Sequence, residues 1–335
     1  MQYSGGFGKQ QIKARMSSPL VSVLIPTYEY ARFLPEAIES VLAQDFKDFE
    51  LIIADDASQD NTAEICRKYA GQDVRVVFVQ HPENLGLVEN LNWCLRKARG
   101  KYIKYLLADD RLNHPSALRK MVGVLEQHPA VALVSSSRLI INEASCPVRL
   151  KNELGRKDRM FDKEQMLRRC FSIEGHNNLI GEPSAVLFRR EQASRGFDPD
   201  YRQLVDLEMW FYLLQNGALY YISDPLCCFR KHSRQQTEVN RRQGVYLLES
   251  VALFATHGGD DKSVLFRQLH IINKKKGAQD LPFITQLKQR FTPAEYAAEY
   301  LQYRLMRPFF NARRSVRTRI RAAGICLDAL LWKII

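Results

Sequence analysis

Two pairs of adjacent aspartates follow apolar runs that have the composition of buried strands. Asp55 and Asp56 end the run FELIIADD, and Asp109 and Asp110 end the run YIKYLLADD. Adjacent carboxylates repel each other unless a cation or hydrogen bonds compensate, so the second pair indicates a divalent ion that bridges to a diphosphate. Mg²⁺ and Mn²⁺ suit such a site, because they take one or two protein carboxylates and complete their shell with phosphate oxygens and water. For the first pair, helix capping is an equally good interpretation, since the stretch DASQDNT supplies several capping side chains.

The residues around these pairs alternate between strand and helix patterns. The predicted strands are VSVLIP, ELIIADD, RVVFVQ, YIKYLLA and VALVSSS, and the predicted helices start at Phe33, Asn61, Leu87 and Pro115. Strands that are apolar on both faces and joined by helices predict an α/β doubly wound domain, with a mostly parallel sheet and helices on both faces. Ligands of such sheets bind beyond the carboxyl ends of the strands. The first strand ends at Pro26, Thr27 and Tyr28, so these residues and both aspartate pairs are expected at one edge.

This alternation stops near Glu143. Residues 144–161 are charged and without periodicity, as in a long surface loop. The predicted elements after it are a helix over 163–171, the strand PSAVLF, the helix DLEMWFYLLQNG and the strand YYIS, and beyond His232 the pattern is predominantly helical. We predict a flexible segment over 1–19, one domain over 20–235 with halves at 20–142 and 143–235, and a helical, basic region over 236–335.

Composition narrows the function classes. Lys and Arg exceed Asp and Glu by 12 among the 335 residues, which favours phosphate-bearing ligands, anionic lipid or nucleic acid. No nucleic-acid-binding motif accompanies the charge, so nucleic acid is not expected as a partner. The seven cysteines form no CxxC pair, and the polar N-terminus has no apolar core segment, so the sequence predicts a cytoplasmic protein without a disulfide framework or a signal peptide.

The last 34 residues, 302–335, are rich in arginine and end in ICLDALLWKII. An arginine-rich helix with a leucine and tryptophan face predicts a peripheral contact with the inner face of a membrane. A basic helix whose apolar face packs on the protein is an equally good interpretation.

Four motifs in order resemble glycosyltransferase family 2, the nucleotide-diphospho-sugar transferases with the GT-A fold. They are VSVLIPTY, FELIIADDAS, NLGLVENLN and GKYIKYLLADD, and the resemblance covers roughly residues 20–235. It implies that 20–142 is a nucleotide-binding half and 143–235 an acceptor half.

The resemblance also implies roles in the first half. Pro26, Thr27 and Tyr28 would line the nucleotide-base pocket. Asp56 would accept the imide proton of the base, which favours uracil, and Asp55 would support the same loop. Asn84 matches the turn that borders the nucleotide, although it is also an ordinary turn residue. Asp109 would bind the metal, and Asp110 matches the acidic residue that usually follows this ligand in the family and would be a second metal ligand. Leu107 stands where the family commonly has a further aspartate.

In the second half the resemblance implies the catalytic base. VDLEMWFYL matches the start of the family's base-bearing helix, so Asp206 would be the base and Glu208 a neighbour that orients it or the acceptor; without the resemblance, Asp206 would be a helix cap. In CFRKHS, Arg230 and His232 would neutralise the diphosphate or complete the metal shell, and Glu182, Pro183 and Ser184 would line the sugar or acceptor site.

The function implied is an inverting, metal-dependent transferase that moves a sugar from a UDP-sugar to a hydroxyl of a glycan or glycolipid acceptor. Assembly of a surface polysaccharide at the cytoplasmic face of a bacterial membrane would be its setting. A non-catalytic scaffold of the same fold is the alternative, with Leu107 as its support. A sugar nucleotidyltransferase is disfavoured, because PTYEYARF contains no glycine for a phosphate loop.

Overall fold

A computed structural model of the chain describes residues 18–172, 175–233, 235 and 245–257. In the first half, strands and helices alternate as β1 (Val21–Thr27), α1 (Leu34–Leu42), β2 (Phe49–Asp55), α2 (Thr62–Gln72), β3 (Val76–Gln80), α3 (Leu87–Lys97), β4 (Tyr102–Tyr105), β5 (Arg111–Leu112), α4 (Ala117–Gln127) and β6 (Val131–Ile141). The order of these elements matches the predicted alternation. The principal difference is β4, which ends at Tyr105 rather than at Ala108.

The second half is more irregular. It contains β7 (Pro147–Lys151), β8 (Arg159–Phe161), α5 (Lys163–Cys170), β9 (Phe171–Ser172), β10 (Gly175–His176), β11 (Val186–Arg189), α6 (Val205–Leu213), β12 (Ala218–Arg230) and α7 (Val245–His257). Two short 3₁₀ turns, Pro183–Ala185 and Arg190–Ala193, flank β11. A capping box at Asp162 and Gln165 starts α5, since each side chain accepts from the other residue's backbone N–H.

The main sheet has the order β3-β2-β1-β4-β11-β6-β12-β5, with β7 paired to β6 and β8 paired to β12. Four strand pairs are parallel: β1 with β2, β1 with β4, β2 with β3, and β6 with β12. Strand β11 runs antiparallel between β4 and β6, so the sheet is mixed in its second half. The predicted α/β class is confirmed, and the predicted parallel pairing holds among β1, β2, β3 and β4.

Continuous apolar runs explain why the central strands form. Every residue of β1, β2 and β4 is buried, as expected of strands covered on both faces. Helix α1 places Leu34, Ala37, Ile38 and Val41 against this sheet, and their spacing of three and four residues puts them on one helix face.

The segment 144–161 lies mostly at the surface, as predicted, but the prediction of a loop is wrong because the segment contains β7 and β8. Its residues are mostly exposed, so they lack the apolar alternation by which a strand is recognised. Strand β12 also exceeds the predicted YYIS, and its register shifts around Pro225, which cannot donate a ladder hydrogen bond. As a result Arg230 lies inside a strand.

The chain separates into two compact units, Met1–Leu253 and Phe254–Ile335. The predicted arginine-rich segment 302–335 lies outside the described residues, as does most of the predicted helical region, and the predicted boundaries remain predictions. None of the helices in the described ranges is both long and apolar enough to cross a membrane.

Candidate functional site

Two loops meet at the carboxyl ends of β1 and β2. The backbone N–H of Glu29 donates to Ser58 Oγ over 2.8 Å, and the N–H of Asp56 donates to the Thr27 carbonyl over 2.9 Å. Glu29 and Ala57 both have positive φ angles, 57° and 63°, which residues other than glycine rarely adopt. Such strain clusters at binding sites, where the surrounding structure holds it in place.

The base-pocket residues predicted on β1 differ in exposure. Pro26 and Thr27 are buried within the strand, whereas Tyr28 is 42% exposed. Tyr28 is therefore the member of this group that presents a ring for stacking. Asp55 is fully buried, and its Oδ1 accepts from Ser58 Oγ at 2.5 Å and from the Ser58 N–H at 3.2 Å, so it holds the loop after β2.

Asp56 organises a second loop. Its two carboxylate oxygens accept from the backbone N–H groups of Leu85 at 2.7 Å and Gly86 at 2.9 Å. The Asn84 side chain accepts from the same Gly86 N–H at 3.0 Å, which is the behaviour of a turn residue. Gly86 has φ 84°, so glycine suits this bend before α3. A carboxylate oxygen can accept twice, which leaves Asp56 with acceptor capacity for a ligand.

Asp109 and His232 lie together. His232 Nε2 is 2.9 Å from Asp109 Oδ2, and their side chains are 3% and 10% exposed. The His232 ring packs between Tyr30 and Phe33, with ring centroids at 5.7 Å and 5.3 Å. Burial, reinforced by the charges of Asp109 and Asp110, raises the pKa of Tyr30, so this hydroxyl stays protonated. Sequence reasoning brought Asp109 and His232 together and missed Tyr30.

Asp110 contacts the backbone of Arg230, which the sequence did not predict. It is buried, and its Oδ1 accepts from the backbone N–H of Arg230 at 2.9 Å. Burial and the neighbouring Asp109 charge hold the pKa of Asp110 well above its usual range. Only Oδ1 of Asp110 is held by the end of β12, so the predicted metal-ligand role of Asp110 remains a prediction.

The prediction that Arg230 contacts the diphosphate also conflicts with the structure. Its guanidinium is 0% exposed and pairs with Glu36, donates to Ser145 Oγ at 2.8 Å and donates to the Asp109 carbonyl at 2.7 Å. It also lies 4.7 Å from the centre of the Phe33 ring. Because Arg230 belongs to β12 rather than to a loop, its side chain is held inside the protein.

The donors near Asp109 fit a hard divalent ion in part. Within the described ranges, no group of three His, Cys, Asp or Glu side chains is placed to hold a metal. Asp109 and His232 form a pair of donors, and Mg²⁺ or Mn²⁺ commonly takes only one or two protein ligands beside phosphate oxygens and water. The residues present therefore fit a metal that arrives together with a diphosphate.

Asp206 lies in the first turn of α6, partly exposed. Its Oδ2 accepts from Asn178 Nδ2 at 2.8 Å, and its Oδ1 accepts from the Leu207 N–H at 2.7 Å. Burial, with the charge of Glu182 adding to it, raises the pKa of Asp206 to about 7. A carboxylate with this pKa can both accept and return a proton near neutral pH.

Glu182 carries a charge that acts on both Asp206 and Asp110. It pairs with Arg138, and its Oε1 lies 3.4 Å from Lys151 Nζ. Burial opposes its ionisation, but the charges of Arg138 and Lys151 outweigh this and lower its pKa. The resulting negative charge raises the pKa of both Asp206 and Asp110.

Glu208 has a different role from the one predicted. It is buried and forms a two-pronged ion pair with Arg195, at 2.8 Å and 2.5 Å. Two residues along a helix point about 200° apart, so Glu208 lies on the opposite side of α6 from Asp206. Glu208 therefore stabilises the fold and does not orient the base.

Ser184 joins the turn before β11 to the aspartate loop. Its hydroxyl accepts from the backbone N–H of Leu107 at 3.0 Å, and its carbonyl accepts from the buried Lys104 ammonium. The Leu107 carbonyl in turn accepts from the Asp110 N–H at 2.9 Å. Backbone atoms of Leu107 thus hold this loop, and its side chain is partly exposed. Pro183 is buried beside Ser184.

The chain belongs to glycosyl transferase family 2, whose sequence profile matches residues 22–195, more than half of the chain. It is therefore a glycosyltransferase. A relative in Bacillus subtilis, named putative teichuronic acid biosynthesis glycosyltransferase TuaG, is 28% identical over 61% of this chain and 75% of its own length.

Two solved structures show the same GT-A fold. Staphylococcus aureus TarS 1–349 in complex with UDP-GlcNAc has a TM-score of 0.55 and 16% identity, over 85% of this chain and 91% of that one. The mannosyltransferase PcManGT from Pyrobaculum calidifontis, in complex with GDP-Man and Mn²⁺, has a TM-score of 0.55 and 20% identity, over 90% and 88%. These similarities confirm the predicted fold, and the profile match confirms the predicted family.

Proposed function

We propose that this glycosyltransferase is an inverting, metal-dependent enzyme that moves a sugar from a nucleotide-diphosphate donor to a hydroxyl of a glycan or glycolipid acceptor. The observation that carries the proposal is Asp206, a partly exposed residue in the first turn of α6 whose carboxyl pKa is raised to about 7 by burial. The charge of Glu182 acts both on it and on Asp110, the neighbour of the candidate metal ligand Asp109.

In this proposal Asp206 is the general base. It takes the proton of the acceptor hydroxyl as the hydroxyl oxygen forms a bond to the anomeric carbon of the sugar. The bond from that carbon to the diphosphate oxygen breaks on the opposite side, and its electron pair leaves with the diphosphate. The anomeric configuration inverts, and Asp206 then returns its proton to water. A base with a pKa near the working pH is well matched to this task.

Asp109 and His232 are the residues that would hold Mg²⁺ or Mn²⁺. When bound, the ion stabilises negative charge on the departing diphosphate. Support comes from their spacing of 2.9 Å and from the Mn²⁺ in the mannosyltransferase complex. The chain's own part is to hold Asp109 in place, and the Arg230 side chain does this through the Asp109 carbonyl.

For the donor we propose a UDP-sugar. Tyr28 offers an exposed ring, and Asp56 retains acceptor capacity for the imide N–H of uracil. The two structural neighbours were solved with UDP-GlcNAc and with GDP-Man, so the identity of the nucleotide base, uracil or guanine, is the feature to test.

The proposed acceptor is a cell-envelope glycan or glycolipid, and the proposed setting is cytoplasmic, at the inner face of the membrane. The TuaG name supports the acceptor class. The six cysteines in the described ranges are free thiols, as in a reducing compartment.

Isothermal titration of the full chain with UDP and with GDP, each with and without Mn²⁺, tests the donor and metal assignments. We expect UDP to bind more tightly than GDP, and Mn²⁺ to strengthen that binding. Tighter binding of GDP than of UDP would overturn the uracil assignment. An affinity for UDP that is the same with and without Mn²⁺ would overturn the metal assignment.

A further inference from the structure

Asn178 makes hydrogen bonds with both ends of its side-chain amide. Its Nδ2 donates to Asp206 Oδ2 at 2.8 Å and to the Gly181 carbonyl at 3.0 Å, and its Oδ1 accepts from the Gly181 N–H at 2.9 Å. Both amide protons are thereby used. Because Gly181 offers an N–H on one side and a carbonyl on the other, the amide has one satisfied orientation. In that orientation its NH₂ group faces Asp206.

The turn that holds Asn178 is itself fixed. Gly181 has φ 128°, and a Cβ atom added there would lie 2.9 Å from the Ala185 Cβ and 3.0 Å from Arg138 Nη1. The Gly181 carbonyl also accepts from the indole Nε1–H of Trp210 at 2.8 Å. Trp210 is fully buried, so it anchors the turn firmly to α6.

Asp206 and Trp210 are one helical turn apart on α6. Residues four apart lie on the same face of a helix, so the turn over 178–181 contacts that face at two successive levels. At one level the Trp210 indole donates to the Gly181 carbonyl, and at the next the Asn178 amide donates to the Asp206 carboxylate. The distance between the Asn178 amide and the carboxylate is thus set by two independent contacts.

We propose that Asn178 is a positioning residue for the catalytic base: it fixes the rotamer of Asp206 and stabilises the ionised carboxylate that accepts the proton. This inference rests on the role given to Asp206 under Proposed function. Asn178 has no contact with the reacting atoms in this account. Its part is to hold one oxygen of Asp206, while the N–H of Leu207 holds the other.

The electrostatics agree with this role. A hydrogen bond to a carboxylate favours its charged form, and Asn178 lowers the pKa of Asp206 in this way. Burial and Glu182 act in the opposite direction, with Glu182 kept ionised by Arg138 and Lys151. Loss of the Asn178 amide should therefore raise the pKa of Asp206, because burial and the Glu182 charge would be less opposed.

The test uses the pH dependence of unfolding, which needs no substrate. The unfolding free energy of the full chain is measured in urea between pH 5 and pH 9 for Asn178→Ala, for Asp206→Asn, for the double variant and for the wild type. The difference between each protein and its Asp206→Asn partner isolates the Asp206 titration. Asn178→Ser, which keeps a small polar side chain and adds no charge beside Asp206, is a second variant if Asn178→Ala folds poorly.

Asn92 provides a matched control. Its amide clamps another loop in the same two-way manner, donating to the Phe197 carbonyl at 2.9 Å and accepting from the Phe197 N–H at 2.7 Å. Asn92→Ala, measured with and without Asp206→Asn, therefore loses a comparable pair of backbone bonds without removing a donor to Asp206.

We expect Asn178→Ala to move the Asp206 titration up by about one pH unit, the size expected for one hydrogen bond to a charged group, and Asn92→Ala to leave it in place. Equal midpoints in Asn178→Ala, Asn92→Ala and the wild type would overturn the inference and leave Asn178 as a turn residue. If the midpoint shifts in Asn178→Ala but Asp206→Asn releases UDP from UDP-GlcNAc at the wild-type rate, the contact between Asn178 and Asp206 is confirmed and the assignment of Asp206 as general base is overturned.

Discussion

His232 Nε2 lies 2.9 Å from Asp109 Oδ2, although 123 residues separate the two along the chain. The contact joins the end of β12 to the loop after β4. It gives the candidate metal site two donors from different halves of the domain.

Asp109→Asn is expected to weaken Mn²⁺-dependent binding of UDP, because the amide keeps the shape of the side chain and loses the charge that a hard cation requires. We expect the loss to be at least about tenfold, as for other changes in a metal environment. The rise in melting temperature on adding UDP and Mn²⁺ together measures it.

The control for this experiment is Asp224→Asn, which removes an exposed partner of Lys120. It should keep the full ligand-induced rise. If Asp109→Asn keeps that rise as well, Asp109 is not a metal ligand.

Stability should fall with pH because of Asp206. Its folded pKa is about 7, and an unfolded aspartate titrates near its ordinary value of about 3.9, so between these values the folded chain holds a proton that the unfolded chain has lost. The unfolding free energy therefore decreases from about pH 4 to about pH 7, by up to about 4 kcal/mol at 1.36 kcal/mol per unit.

Asp206→Asn should lack this decrease. The unfolding free energy of Asp206→Asn minus that of the wild type should therefore be larger at pH 8 than at pH 5. Glu208→Gln, on the opposite face of the same helix, should lose stability by breaking the ion pair with Arg195 and yet keep the decrease. Urea unfolding at the two pH values compares the three proteins. A parallel pH dependence in Asp206→Asn and wild type would contradict the pKa assignment.

Glu36→Gln should destabilise the fold by about 3 kcal/mol, because it leaves the buried Arg230 guanidinium without its charge partner. The matched change Asp45→Asn breaks an exposed pair with Arg119 and should cost less than about 1 kcal/mol. Denaturant midpoints report both. If Glu36→Gln instead leaves stability unchanged and weakens UDP binding, the Arg230 cluster belongs to the ligand site and not to the scaffold.

Leu107→Asp should strengthen Mn²⁺-dependent UDP binding. The backbone of Leu107 already fixes the loop through Ser184 and Asp110, and its side chain is partly exposed, so a carboxylate can be added without disturbing the fold. A further carboxylate near Asp109 would add charge to the cation site. Titration of UDP in the presence of Mn²⁺ measures the change, with Leu107→Asn as the uncharged control. Equal affinities for the two variants would show that position 107 is remote from the metal.

Much of the structure over residues 20–142 follows from the sequence, because its strands are continuous apolar runs and its helices have clear apolar faces. Strands β7 and β8 could not be predicted in this way, since they pair at the sheet margin with mostly exposed side chains. Strand pairing there depends on the tertiary neighbour and leaves little periodic signal.

The site was predictable as a set of residues rather than as a set of contacts. Asp109 and His232 come together as expected, whereas Arg230 turns inward to Glu36, a partner 194 residues away that no local pattern identifies. Asn178 lies in a stretch without strand or helix periodicity. The sequence signal available was the pair of turn residues Asn178 and Gly181, which gives no hint of Asp206.

The most direct test of the central claim is nucleotide release from UDP-GlcNAc and other UDP-sugars with Mn²⁺, comparing wild type with Asp206→Asn and Glu208→Gln. We predict that Asp206→Asn lowers kcat by about 10²-fold or more, as expected for loss of a general base, while UDP affinity is kept and Glu208→Gln stays active. Equal rates of release by Asp206→Asn and wild type would contradict the proposed mechanism.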